Sequence, residues 1–395
     1  MSKSVIAQVR PELLKWARET AGYLPEQAAK KAKVQMASLT DWESGAQRLD
    51  MVQLRRLSDI YDRPLAAFYL SSPPKEQKLP RDFRHVAGTK TGALSPSLIS
   101  EIRQARDRRD IALDLYDEIG EKPLRFTLRA TRHEDSSKVV RNLGVAVHLS
   151  DIQKRGVNSP NRTLTLLRAA VESLGVLVFQ VPDIEVSETR GFSLSESLLP
   201  VIVLASGDAP EARIFTLLHE MTHLMLREPG ICDQGGDAVE IYCNSVAGRA
   251  LVPSDALATA IDALAPHPEN TPWEDSDLLK LAHQFSASRE TIARRLVDLE
   301  LMSHDEYQEK REEYLRKREE YLKSPKVKKK GKGGPSQAAL VLARVGLSFT
   351  RLVLDGYQHE RLTISDVTGY LSVRAKHLPA IERSVAKKFL AEGTT

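Results

Sequence analysis

Thr216-Leu217-Leu218-His219-Glu220-Met221-Thr222-His223-Leu224-Met225-Leu226 is the stretch on which the reading of this chain turns. It is an apolar run at helical spacing, interrupted by two histidines and a glutamate in the pattern H-E-x-x-H. A separation of four residues puts both imidazoles on one helical face, where together they can hold a single zinc ion and set the glutamate beside it. Zinc in such a place lowers the pKa of its water toward neutrality and polarises a peptide carbonyl, while the glutamate takes the proton and hands it to the leaving amine. The pattern therefore suits hydrolysis, with His219 and His223 as metal ligands and Glu220 as general base. Five residues alone are a weak signal, because His and Glu are common on helix surfaces. Phe215, Leu217, Leu218, Leu224, Met225 and Leu226 strengthen it, since a solvated charged face is not expected among them and titratable groups in apolar surroundings mark sites.

A catalytic zinc takes a third protein ligand and leaves its fourth position open. Val239 to Gly248 reads as a second helix in which Glu240 and Asn244, four apart, share a face. Glu240 is the candidate ligand, and Asn244 the candidate hydrogen-bond partner for the ring N–H of one ligating histidine, which needs such a partner to fix its tautomer. Asp233, Asp237 and Cys243 are rivals for the third position, Asp237 lying about one turn ahead of Glu240.

Working outward, Val176 to Val181 and Pro200 to Leu204 are rich in β-branched residues and read as strands, with Arg190 to Leu194 able to pair between them. Helices are expected at 97–119, 132–148, 162–174, 210–226, 239–252 and 254–264, and residues 276–300 have a helix, short turn, helix pattern. A small sheet preceding the motif helix makes the chain mainly α with a small β-sheet, in the α+β class.

The run from Arg213 to Leu226, followed by Glu240-Ile241-Tyr242-Cys243-Asn244-Ser245-Val246-Ala247-Gly248-Arg249-Ala250-Leu251-Val252-Pro253, resembles the ImmA/IrrE family of bacterial metallopeptidases, as does the strand-like Pro200 to Ser206. The likeness spans roughly 165–300. It implies a zincin-like metallopeptidase core, Glu240 as the third zinc ligand, and a DNA-binding repressor or similar regulatory protein as substrate. It also implies that residues 278–299 pack against the peptidase as a specificity surface. Gly248 and Arg249 stand where alanine and glutamate are frequent in that family, which leaves the ligands untouched.

Residues 11–70 read as four or five short helices. Those at Pro25 to Lys33 and Gln35 to Ser44 form a helix-turn-helix, in which the second helix enters a major groove. Leu39 to Gly45 and Leu54 to Phe68 resemble XRE-type, phage-repressor-like regulators. By that alignment Gln35, Met36, Ser38 and Thr40 face the groove, and Gln35 suits bidentate contact with adenine. Residues 1–72 hold eleven basic and eight acidic side chains, so attraction to phosphate would be modest. The competing reading of this unit is a bundle that binds a protein such as a repressor.

A chain of 395 residues exceeds a single compact domain. The expected order is a helix-turn-helix domain at 1–72, a linker at 73–92, and a metallopeptidase domain at 93–304 with its motif core at 165–265 and a helical unit at 276–300. A charged helix and Lys-rich linker follow at 305–335, then a small helical domain at 336–395. Six lysines fall between Lys323 and Lys332. With 42% hydrophobic and 28% charged residues and a net charge of +4, the composition excludes collagen-like and wholly disordered chains, and the total charge does not argue for nucleic acid. Two cysteines and the absence of a long apolar run point to a cytoplasmic protein with no membrane partner. The expectation is thus a zinc-dependent endopeptidase acting on a repressor-type protein, with double-stranded DNA as a second partner through residues 23–44. The alternative is a DNA-binding regulator or antitoxin-like protein whose peptidase-like domain senses a partner without cleaving.

Overall fold

The computed structural model describes residues 5–74, 94–226, 236–264, 271–323 and 335–392. The chain divides into two compact units, Met1–Arg106 and Asp107–Thr395. It is mostly helical with one three-stranded mixed sheet. No single helix among the described residues is long and apolar enough to cross a membrane.

In the first unit, α1 (Pro11–Thr20), α2 (Pro25–Ala32), α3 (Met36–Ser44) and α4 (Met51–Tyr61) are followed by a 3-10 turn at Leu65–Tyr69 and by the start of α5 (Pro96–Ile119). Proline opens α1 and α2, where its missing N–H costs nothing and its φ suits a helix. Asp50 caps α4 reciprocally: its carboxylate accepts from Gln53 N at 2.8 Å, and its own N–H donates to the Gln53 side chain at 2.7 Å. Leu39, Trp42, Leu54, Tyr61 and Phe68 fill the centre. Arg18 grips Glu43 with two nitrogens, at 2.7 and 3.0 Å, and so ties α1 to α3.

The second unit continues with α6 (Ser136–Ala146), α7 (Leu149–Gly156) and α8 (Pro160–Glu172), then β1 (Leu177–Val181), β2 (Gly191–Leu194), β3 (Val201–Ala205) and α9 (Pro210–Leu226). After these come α10 (Gly236–Leu251), α11 (Ser254–Asp262), α12 (Asp275–Phe285), α13 (Arg289–Asp298) and α14 (His304–Lys323). The chain closes with α15 (Gln337–Val345), α16 (Leu347–Gln358), α17 (Ile364–Tyr370) and α18 (Leu378–Glu392). The single helix expected at 132–148 ends at Ala146, and α7, which had no separate expectation, follows after His148 takes a left-handed conformation.

Strand order is β1-β3-β2. β3 is central, parallel to β1 with Leu177 opposite Val201 and antiparallel to β2 with Ser193 opposite Ile202. Arg190 to Leu194 therefore lies at an edge of the sheet and not between the other two strands. Every residue of β1 and β3 is buried, so both faces of the sheet are covered. Val178, Ile202 and Leu204 join the core that contains α8 and α9. On the opposite face Phe179 meets Phe349 of α16 edge to face, with ring centroids 6.0 Å apart.

The C-terminal helices are docked on this second face and on the outer edge of β1. The Arg168 guanidinium donates to Val178 O at 2.9 Å and to Leu342 O at 3.5 Å, and the Gln180 amide donates to Ala343 O. Glu172 accepts the backbone N–H groups of Leu347 and Ser348, at 3.1 and 2.9 Å, at the start of α16. Gly346 makes this approach possible: its φ is +81°, and a Cβ there would run into the Glu172 carboxylate. Burial pushes the Glu172 carboxyl upward, opposed by Arg168 and by those N–H donors.

Candidate metal centre

α9 begins at Pro210 and is buried on most of its circumference, with Leu217, Leu218, Met221, Leu224 and Met225 in the core. His219 and His223 occupy the remaining stripe and are partly exposed. α10 crosses beside it and packs through Cys243, Val246, Ala247 and Ala250. Glu240 continues that inward stripe by one turn and is carried to the histidines, while its side chain stays half-exposed. Arg249 fastens α10 to the start of α6 by donating to the hydroxyls of Ser136 and Ser137, at 2.7 and 2.9 Å.

The three side chains form a small triangle of donors, with the Glu240 carboxylate turning a different oxygen to each histidine. His219 Nε2 and His223 Nε2 are 3.0 Å apart, Glu240 Oε2 is 3.3 Å from the first, and Glu240 Oε1 is 3.2 Å from the second. Ligands of a tetrahedral zinc at roughly 2.0–2.1 Å stand about 3.3 Å from one another, so the triangle fits the ion by donor chemistry and by size. The electrostatics agree. Burial pulls the His223 imidazolium down, but hydrogen bonds to Cys243 and Glu240 and the nearby Glu220 charge outweigh it and push it up to about 11. Glu240 is held well below the usual carboxylate range by the two imidazoles, against the opposing effect of burial. Three acceptors converging on one point favour a positive charge between them.

Glu220 is buried beside the triangle and accepts a hydrogen bond from Ser193 Oγ of β2 at 2.8 Å. The structure thus brings together His219, His223, Glu240 and Glu220. Asn244 is exposed and its side chain makes no hydrogen bond among the described residues; Cys243, one position before it, is buried and contributes to the raised pKa of His223. His219 Nδ1 is buried with no partner among the described residues. Asp233 and the side chain of Asp237 lie outside the described residues. Ser193 and the influence of Cys243 on His223 were missed by sequence reasoning. Cys243 was detectable from its place on the apolar stripe of α10; Ser193 had no signal beyond its place in a strand.

Residues 171–297 match the family model described as the IrrE N-terminal-like domain, a peptidase family. This match supports the ImmA/IrrE family. It covers the whole sheet, α9, α10 and every residue of the triangle. No curated protein and no solved structure gave a significant match to the chain. The ImmA/IrrE-like segment points to a peptidase and, with the histidine and glutamate cluster, to a metallopeptidase-like function. Within it α13 packs toward α10: Arg295 donates to Val252 O at 3.0 Å and to Ser254 Oγ at 2.9 Å.

In the first unit, Gln35 precedes α3 as its N-cap residue and is exposed, as are Met36 and Thr40, while Ser38 is half-buried. The Thr40 hydroxyl donates to Met36 O at 3.0 Å. Leu39 and Trp42 point inward.

Proposed function

We propose that this protein is a zinc-dependent endopeptidase in which His219, His223 and Glu240 hold the ion and Glu220 is the general base. The observation that carries the reading is the donor triangle with edges of 3.0–3.3 Å placed next to a buried carboxylate that belongs to neither ligand set nor core. When bound, zinc supplies Lewis acidity and makes water a nucleophile near neutral pH. The chain itself does the rest. Glu220 takes the proton of the attacking water on a carboxylate oxygen and delivers it to the departing amine, so both proton transfers pass through one fixed group. β2 lies at the sheet edge beside that carboxylate, where an extended peptide can be held against the strand by main-chain hydrogen bonds. The substrate is a DNA-binding repressor or a similar regulatory protein. The N-terminal unit recruits the enzyme to DNA through the turn between α2 and α3; the exposure of Gln35, Met36 and Thr40 supports this.

The metal assignment is tested by zinc analysis of purified wild type, His219→Ala and Glu240→Ala. One equivalent in the wild type and a deep loss in both variants is expected; equal zinc in all three would sink it. Recruitment is tested by anisotropy with double-stranded oligonucleotides tiled across the region upstream of the gene. Salt-sensitive binding weakened by Gln35→Ala is expected, and no binding at low salt overturns the DNA role while leaving the peptidase role standing.

A further inference from the structure

We infer that Ser193 is the positioning residue of Glu220, fixing which carboxylate oxygen is presented for proton transfer. This rests on the reading of Glu220 as the general base. Glu220 is 7% exposed, and a buried carboxylate needs a donor. Among the described residues the Ser193 hydroxyl is its one hydrogen-bond donor, at 2.8 Å to Oε2, and Oε1 makes no hydrogen bond there. A glutamate carboxylate turns freely about its last torsion, which is broad and nearly two-fold. One donor on Oε2 removes that freedom and leaves Oε1 as the available base.

The placement of the serine is built into the packing of β2 on α9. Gly191 and Ser193 share the strand face opposite that of the buried Phe192 and Leu194. A Cβ on Gly191 would stand 2.8 Å from Thr216 Cγ2 and 2.7 Å from Val203 O, so the bare glycine sets the distance between strand and helix. Two strand residues advance about 6.8 Å and four helix residues about 6 Å. Contact of Gly191 with Thr216 therefore brings Ser193 alongside Glu220, one helical turn on. Fixing the carboxylate in advance removes a rotation that would otherwise have to be arrested in each turnover.

The test uses the full-length, zinc-loaded chain with fluorescein-labelled casein as probe, comparing Ser193→Ala, Ser193→Thr and Ser193→Val. The expected result is a fall in kcat of about ten- to a hundredfold for Ala and Val, KM within about twofold, and recovery to within about threefold by Thr, with zinc at one equivalent throughout. A Ser193→Ala enzyme with wild-type kcat, or a Thr variant no better than Val, overturns the inference. The bond is also read without turnover, by urea unfolding of Ser193→Ala, Glu220→Ala and the double variant. The midpoint shift of Ser193→Ala should vanish when Glu220 is absent, and additive shifts overturn the link. A zinc-loaded wild type inert toward casein leaves the peptidase reading to the repressor assay, and the unfolding cycle then decides the Ser193–Glu220 link by itself.

Discussion

Replacing Glu172 by alanine should unseat the C-terminal helices from the sheet. Glu172 and Arg168 are both buried and 3.9 Å apart, and Glu172 also accepts two backbone N–H groups of α16. At an effective dielectric of about 20 the pair attracts by roughly 4 kcal/mol, most of which offsets the cost of taking both ions out of water. Removing one partner leaves that cost without its compensation, and such losses run to about 3–5 kcal/mol. For a unit of this size the unfolding entropy is on the order of 0.6 kcal/mol per degree, which converts the loss to a drop of roughly 5–8 °C in Tm. The assay is thermal unfolding followed by circular dichroism, with Glu172→Gln alongside. Glutamine can still accept from Leu347 and Ser348, so it should fall between the wild type and the alanine variant. A Glu172→Ala protein melting within about 1 °C of the wild type would refute the claim that this buried pair fastens α15 and α16 to β1.

Further outcomes follow from other contacts. Gly191→Ala should destabilise by about 1–3 kcal/mol in urea unfolding, because the new methyl meets Val203 O and Thr216 below van der Waals distance. Cys243→Ala should weaken zinc binding by about tenfold in competition with a chelating dye, whereas Asn244→Ala should leave it unchanged, since the buried thiol is close enough to raise the pKa of His223 while the amide is exposed. Burial raises the Tyr61 phenol above its usual pKa. A raised folded-state pKa gives stability that is complete below the unfolded value near 10 and is lost as pH climbs beyond it. Tyr61→Phe should therefore flatten the alkaline limb of a stability–pH curve above about pH 10, and an unchanged limb would exclude this phenol as its source.

The site was legible where periodicity and chemistry coincide. Residues 210–226 read as one helix because apolar spacing runs unbroken through Leu217, Met221 and Leu224, and the histidines stand out against it. Glu240 lies on the continuation of an inward stripe of small and apolar residues, which is why α10 delivers it to the histidines. Asn244 reads as a histidine partner because it lies four residues from Glu240 on the same helical wheel, whereas Cys243 offers itself there only as a rival metal ligand. Burial of the stripe through Cys243, Val246 and Ala250 turns the thiol inward and the amide outward. The docked C-terminal helices were not legible, although β1 and β3 held a hint. Neither strand alternates apolar and polar residues, so each needed cover on two faces, and helices before and after the sheet supply it. Ser193 depends on strand register and on the gap left by Gly191, which are properties of the packed sheet and carry no local signature.

The central claim is that Glu220, beside a zinc ion held by His219, His223 and Glu240, hydrolyses a peptide bond. It is tested most directly by incubating zinc-loaded wild type and Glu220→Gln with purified DNA-binding repressors, one at a time, and resolving the products by mass spectrometry. The account predicts one specific fragment pair with the wild type, none with Glu220→Gln, and one equivalent of zinc in both proteins. The same fragments from Glu220→Gln would contradict it.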